Sequence, residues 1–185
     1  MMQRRAVFLD LNGTLVLPLK QERLSDLTAI PGAAIAVARL TDAGYVCPVV
    51  TVQSRIAKGL FSMDEFIEWF RGFSEKWNAS GATLVGPYVC PHRYAEPCVC
   101  KKPNALLYEL AARDHDIDLS GSFVVGDSPD DVRGATRLGA RGCLVRTGWA
   151  ADPEIAAVAA PDAWFIGETL PDIVDRILES DASCA

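Results

Sequence analysis

The chain has 185 residues, half of them apolar, and 24 acidic against 18 basic side chains leave a net charge of −6. That length supports one well-buried core rather than two full domains, so residues 1–180 are expected to form a single domain with 181–185 as a frayed tail. The acidic balance, with no stripe of Lys and Arg, excludes nucleic acid or an anionic membrane as the expected partner.

The apolar run after Met1-Met2-Gln3-Arg4-Arg5 is too short for a signal-peptide core or a membrane span, which points to a cytoplasmic protein, expected as a monomer. Val7-Phe8-Leu9 then runs straight into Asp10 and the turn signal Asn12-Gly13. This reads as a buried strand presenting a carboxylate at its carboxyl edge, where open α/β sheets bind ligands. Asp10 is therefore either a nucleophile or metal ligand, or a turn-initiating acid after a core strand.

Val16 to Ile30 shows no clean periodicity and reads as a long loop over that edge, with a role in substrate contact. Pro31-Gly32 opens an alanine-rich helix that Gly44 ends. The strand Tyr45 to Thr51 follows and delivers Thr51-Val52-Gln53-Ser54 to the same edge. Thr51 is a phosphate contact or an ordinary β-branched strand residue. Ser62 and Glu65 make a capping box, and Phe66, Phe70, Phe73 and Trp77 recur at helical spacing as a core stripe.

Thr83 to Cys90 is a short strand leading to Cys90-Pro91-His92 and Cys98-Val99-Cys100. Three thiols and one imidazole within so short a segment are the ligand set of a closed structural Zn2+ site, Cys90, His92, Cys98 and Cys100; buried free thiols beside a chance histidine are the bland alternative. Lys101-Lys102 leave this loop at the start of a helix, Ala105 to Asp114, and can reach a phosphate or be plain solvated charges. Ser122 to Gly126 is a third apolar strand ending in an acid, Asp127, with Asp130 and Asp131 opening the next helix. A further strand at Gly142 to Val145, a helix from Pro153, an edge strand at Trp164 to Ile166 and a helix from Leu170 to Leu178 complete the chain, with Ser180 to Ala185, including Cys184, frayed. Strands alternating with helices give an α/β fold with a doubly wound parallel sheet.

Carboxylates converging on one crevice repel each other unless a cation lies between them, and oxygen-only donors select a hard ion, so Mg2+ is implied at Asp10 and Asp127, with Asp131 aimed into the same crevice as a direct or water-mediated contact. Asp10-Leu11-Asn12-Gly13-Thr14 resembles the first motif, Asp-x-Asp-Gly-Thr, of the haloacid dehalogenase superfamily of phosphatases, with Asn12 in place of the second Asp. Thr51-Val52-Gln53-Ser54, Ile56-Ala57-Lys58-Gly59, Cys90-Pro91-His92 and Cys98-Val99-Cys100-Lys101-Lys102-Pro103 are similar to segments of the D-glycero-D-manno-heptose 1,7-bisphosphate 7-phosphatases and the related histidinol-phosphate phosphatases.

The resemblance implies a Rossmann-like core without a large cap domain, a zinc-stabilised loop, and a small phosphorylated metabolite as substrate. By motif, Asp10 would be the nucleophile, position 12 the acid/base, and Thr51 and Lys102 the phosphoryl stabilisers. Val52, Gln53, Ser54 and Lys101 would line the substrate. Asp10, the Asn12 carbonyl and Asp127, with Asp131 beside them, would hold magnesium. The sequence departs from the family pattern at Val52, Arg55 and Ser128, where the family has Asn, Gly and Lys. Asn12 cannot move a proton, and general acid–base help contributes roughly 10²–10⁴-fold. The expectation is a phosphatase slowed by Asn12; the alternatives are a silenced relative that binds a phosphorylated ligand or partner, and an active phosphatase whose acid has been replaced.

Overall fold

The computed structural model describes residues 3–182. Its strands are β1 (Val7–Leu9), β2 (Val16–Leu17), β3 (Thr28–Ala29), β4 (Pro48–Val52), β5 (Val85–Cys90), β6 (Phe123–Gly126), β7 (Arg141–Val145) and β8 (Phe165–Gly167). The helices are α1 (Ala33–Asp42), α2 (Ser54–Ala57), α3 (Met63–Asn78), α4 (Leu106–His115), α5 (Pro129–Leu138), α6 (Pro153–Ala159) and α7 (Leu170–Ala182).

Six strands form one parallel sheet in the order β5-β4-β1-β6-β7-β8. The first strand therefore sits mid-sheet, paired on one side with β4 (Leu9 opposite Val49) and on the other with β6 (Leu9 opposite Val125). Strand order reverses at β1, and the carboxyl ends there open a crevice between diverging connections.

Alternation along the strands divides the core in two. Val7, Leu9, Val49, Phe123 and Val125 face α1, α3 and α7, where Leu40, Phe66, Phe70 and Ile173 are buried against them. Phe8, Val50 and Val124 face the other way, onto Leu107, Tyr108 and Ala111 of α4. The aromatic stripe of α3 is core as its spacing predicts: Phe73 stacks on Trp69 and lies tilted against Trp77, with centroids 5.2 and 4.7 Å apart. The doubly wound parallel sheet expected from the sequence is present.

Two expectations need correction. Val16 to Ile30 is not all loop: β2 and β3 pair antiparallel, Val16 opposite Ala29, and carry the intervening residues out over the sheet edge. Strands this short leave too few residues for a period to show. The start of the expected tail, Ser180 to Ala182, is the last turn of α7. Arg5 clamps Asp181 at 2.6 Å and the Tyr45 hydroxyl donates to it at 2.6 Å, which ties the last turn to the start of the sheet. Cys184 lies outside the described residues. No helix among them is long and apolar enough to cross a membrane.

Candidate active site

The crevice beyond β1, β4 and β6 is a cleft of about 640 Å³. Asp10, Asn12, Thr51, Lys102, Asp127 and Asp131 all line it, as do Val52, Gln53, Ser54 and Lys101. Residues far apart in sequence thus meet because parallel strands end together.

Lys102 is the hub. Its Nζ lies 2.6 Å from Asp10 Oδ1 and 2.6 Å from Asp131 Oδ1. Burial works against its charge, but Asp10 and Asp131 outweigh that penalty and hold its pKa well above the ordinary lysine value. Burial pushes the Asp10 carboxyl up to about 6 against the pull of Lys102. Burial, helped by repulsion from Asp10 and Asp131, pushes Asp127 up to about 8. One ammonium does not balance three buried carboxylates, so the floor of the cleft at the sheet edge is short of positive charge.

The carboxylates are aimed by local structure. Asp131 closes a capping box at the start of α5, its Oδ2 accepting from Ser128 Oγ (2.6 Å) and Ser128 N (3.2 Å), which leaves Oδ1 for Lys102. Asp127 Oδ2 accepts from Trp149 N at 2.7 Å. Gly13 (φ +93°) and Gly148 pass so close to that carboxylate that a Cβ on either would collide with it. This donor set, all oxygen and short of countercharge, fits Mg2+, which Asp10, Asp127, Asp131 and the Asn12 carbonyl would hold.

Opposite the carboxylates lies an uncharged ring of amides. Asn12 Nδ2 donates to Pro18 O and to Gln21 Oε1, each at 3.1 Å. Gln53 Nε2 donates to Asn12 Oδ1 (2.8 Å) and to Thr51 Oγ1 (2.9 Å), while Gln21 Nε2 donates to Gln53 Oε1 (2.9 Å). Gln21 and Gln53 are both buried, and a buried amide left without partners costs about 1–3 kcal/mol, so the ring holds Asn12 in one orientation. Sequence reasoning did not single out Gln21 or Trp149, and gave Arg55 and Lys58 no place in the cleft they line. Gln21 arrives on the β2–β3 hairpin, and only its neighbours in space distinguish it from a surface glutamine.

The Cys/His loop flanks the cleft. Cys90 Sγ lies 3.7 Å from Cys98 Sγ and 3.6 Å from His92 Nδ1, and His92 Nδ1 lies 3.2 Å from Cys100 Sγ. All four ligand atoms lie within 4.8 Å of one another. A tetrahedral Zn2+ with bonds of about 2.3 Å to sulfur sets ligand atoms roughly 3.8 Å apart, so the cluster fits that ion. Burial pushes the Cys90 thiol up to about 12, a proton that a bound ion would displace. Lys101 Nζ donates to the carbonyls of Arg93, Tyr94 and Glu96 at 2.8, 2.6 and 2.8 Å, so its ammonium straps the loop from within.

Comparisons with known proteins identify the relatives of this chain. Residues 99–173 match the HAD-hydrolase-like family model. The D-glycero-beta-D-manno-heptose-1,7-bisphosphate 7-phosphatase of Haemophilus ducreyi is 36% identical over 95% of this chain and 100% of its own length. The D-glycero-D-manno-heptose-1,7-bisphosphate 7-phosphatase of Thermosynechococcus vestitus is 40% identical over 80% of this chain and 82% of its own. The crystal structure of D,D-heptose 1,7-bisphosphate phosphatase from B. bronchiseptica, complexed with magnesium and phosphate, superposes with a TM-score of 0.85 at 28% identity, over 95% of this chain and 99% of that one. With its sheet-edge carboxylates, bridging lysine and Cys/His loop, the chain belongs to the heptose-1,7-bisphosphate 7-phosphatase family of haloacid dehalogenase phosphatases.

Proposed function

We propose that the chain is a magnesium-dependent phosphatase that removes one phosphate from a small sugar phosphate, a heptose 1,7-bisphosphate or a close analogue, through an aspartyl-phosphate on Asp10. The observation that carries this reading is Lys102 bridging Asp10 and Asp131 beside Asp127 at the carboxyl edge of the sheet. A nucleophile, a cation and further carboxylates for a metal then face one point. The magnesium and phosphate held by the B. bronchiseptica relative support the same reading.

Asp10 would attack phosphorus in line as the bond from phosphorus to the sugar oxygen breaks. Lys102, held between two carboxylates, would turn its charge onto the phosphoryl oxygens, and Thr51 would hold a further oxygen. Bound magnesium supplies the remaining charge neutralisation. Water then attacks the acyl phosphate, releasing phosphate and restoring Asp10. Asn12 offers neither a proton to the departing sugar oxygen nor a base to that water, so both steps run without acid–base help worth roughly 10²–10⁴-fold. Cys90, His92, Cys98 and Cys100 would hold a structural Zn2+ that fixes the loop at the cleft mouth.

The same Asn12 supports a second reading, a relative that binds a phosphorylated sugar without turning it over. Phosphate release from heptose 1,7-bisphosphate with magnesium, measured on the wild type and Asn12→Asp side by side, separates the two. The phosphatase reading expects slow release that the substitution raises about a hundredfold or more. No release from either form over a panel of sugar phosphates contradicts it.

A further inference from the structure

Two buried side-chain polar atoms among the described residues have no hydrogen-bond partner, Thr14 Oγ1 and the Tyr108 hydroxyl. Tyr108 is 1% exposed, and a buried hydroxyl left unbonded costs stability that phenylalanine, with the same ring, would not. A hydroxyl kept there points to a state of the molecule in which it has a bond.

The Tyr108 ring is fixed by its neighbours. It meets Phe8 edge-on with centroids 5.5 Å apart, and a Cβ on Gly134 of α5 would lie 3.3 Å from its hydroxyl. The hydroxyl therefore points into the seam between α4 and α5. Asp131 lies three residues before Gly134 on the same face of α5, and Asp10, two residues past Phe8, projects from the same face of the sheet as that ring. Lys102 Nζ bridges these two carboxylates. Burial above all keeps the hydroxyl protonated, and among the charges it feels Lys102 comes first, ahead of Asp131 and Asp10. A neutral O–H donor without an acceptor thus lies beneath the lysine–carboxylate bridge.

Asp131 has the converse need. Ser128 holds its Oδ2, while Oδ1 accepts only from Lys102 among the described residues. When Lys102 turns its charge onto a phosphoryl oxygen, Oδ1 of this buried carboxylate loses its partner, and that loss opposes the turn. We propose that Tyr108 is a positioning residue for Lys102: its hydroxyl donates to Asp131 Oδ1 as Lys102 leaves for the phosphoryl group, so the bridge opens without stranding a charge. This rests on the phosphatase reading for the movement of Lys102. One bond then satisfies both the orphan donor and the abandoned acceptor, and it exists only when phosphate is engaged.

The test is calorimetric titration of Mg2+ alone, and of inorganic phosphate in saturating Mg2+, into the wild type and Tyr108→Phe, with thermal melts of both free chains. The free variant should melt at or above the wild type, because the hydroxyl bonds nothing there. Mg2+ alone should bind the two within about twofold. Phosphate should bind the variant about tenfold or more weakly, as loss of a hydrogen bond to a charged group brings. Equal phosphate affinities would overturn the proposal. So would a free variant that melts lower and loses Mg2+ and phosphate affinity together, which makes Tyr108 an ordinary core residue. Selective loss of phosphate affinity in a chain that releases no phosphate from heptose 1,7-bisphosphate would keep the role of Tyr108 and remove the phosphatase reading; unchanged affinity in a chain that does release it would do the reverse.

Discussion

The sheet edge and the Cys90–Cys100 loop are both crowded polar clusters, yet they are held together by opposite means. At the edge, Asp10 and Lys102 are 92 residues apart in sequence and meet at 2.6 Å because Phe8 of β1 and Leu107 and Tyr108 of α4, which follows Lys102, are packed into one core beneath them. In the loop the partners are local and there is little core: Tyr94 is 80% and Val99 74% exposed. Its order comes from the Lys101 strap and from Asn104 Nδ2 donating to Cys98 O at 3.1 Å, to which a metal held by its thiols and imidazole would add. Disturbing the edge should therefore be felt by the whole fold, and disturbing the loop by the loop.

The largest effect expected is that of Lys102→Met. Removing the ammonium leaves Asp10 and Asp131 buried without their partner, and breaking a buried pair from one side costs about 3–5 kcal/mol. Urea unfolding should show that loss, with part of it recovered in magnesium; a change under about 1 kcal/mol would break the comparison. A second effect follows from pH. Asp10 and Asp127 are raised from 3.8 to about 6 and about 8, so between about pH 4 and 8 the folded metal-free chain holds more protons than the unfolded one. Stability contributed by these groups should fall as pH rises through that window, and saturating magnesium should flatten the fall. Guanidinium melts at pH 5 and pH 8, with and without the ion, read it directly.

The smallest global effect belongs to the loop. Cys98→Ser, or chelation of the metal, should strip amide-exchange protection from residues 91–100 while moving the global midpoint little, by about 1 kcal/mol or less, because few core side chains depend on it. A global loss as large as that of Lys102→Met would mean the two regions are one cooperative unit.

The two regions also differ in how far their residues announce them. Val7-Phe8-Leu9-Asp10 and Phe123 to Asp127 read as strands because apolar runs ending in acids have few other uses, and the Cys/His spacing names its own chemistry. The uncharged ring reads only in part: the sequence places Gln53 at the edge with Thr51, but not its bonds to Gln21 and Asn12, because an amide in sequence carries no sign of its partner. Lys101 was legible as a cation at the cleft but not as a strap, since its direction depends on the loop folding back over it. The short β2–β3 pairing that delivers Gln21 is set by the sheet edge beneath it rather than by its own pattern.

The central claim is that Asp10 carries the chemistry. Its most direct test is magnesium-dependent phosphate release from heptose 1,7-bisphosphate by the wild type and by Asp10→Asn, with circular dichroism showing both folded. The account expects measurable release from the wild type and a loss of at least about a thousandfold in the variant, as removal of a nucleophile brings. Equal rates from the two proteins would contradict it.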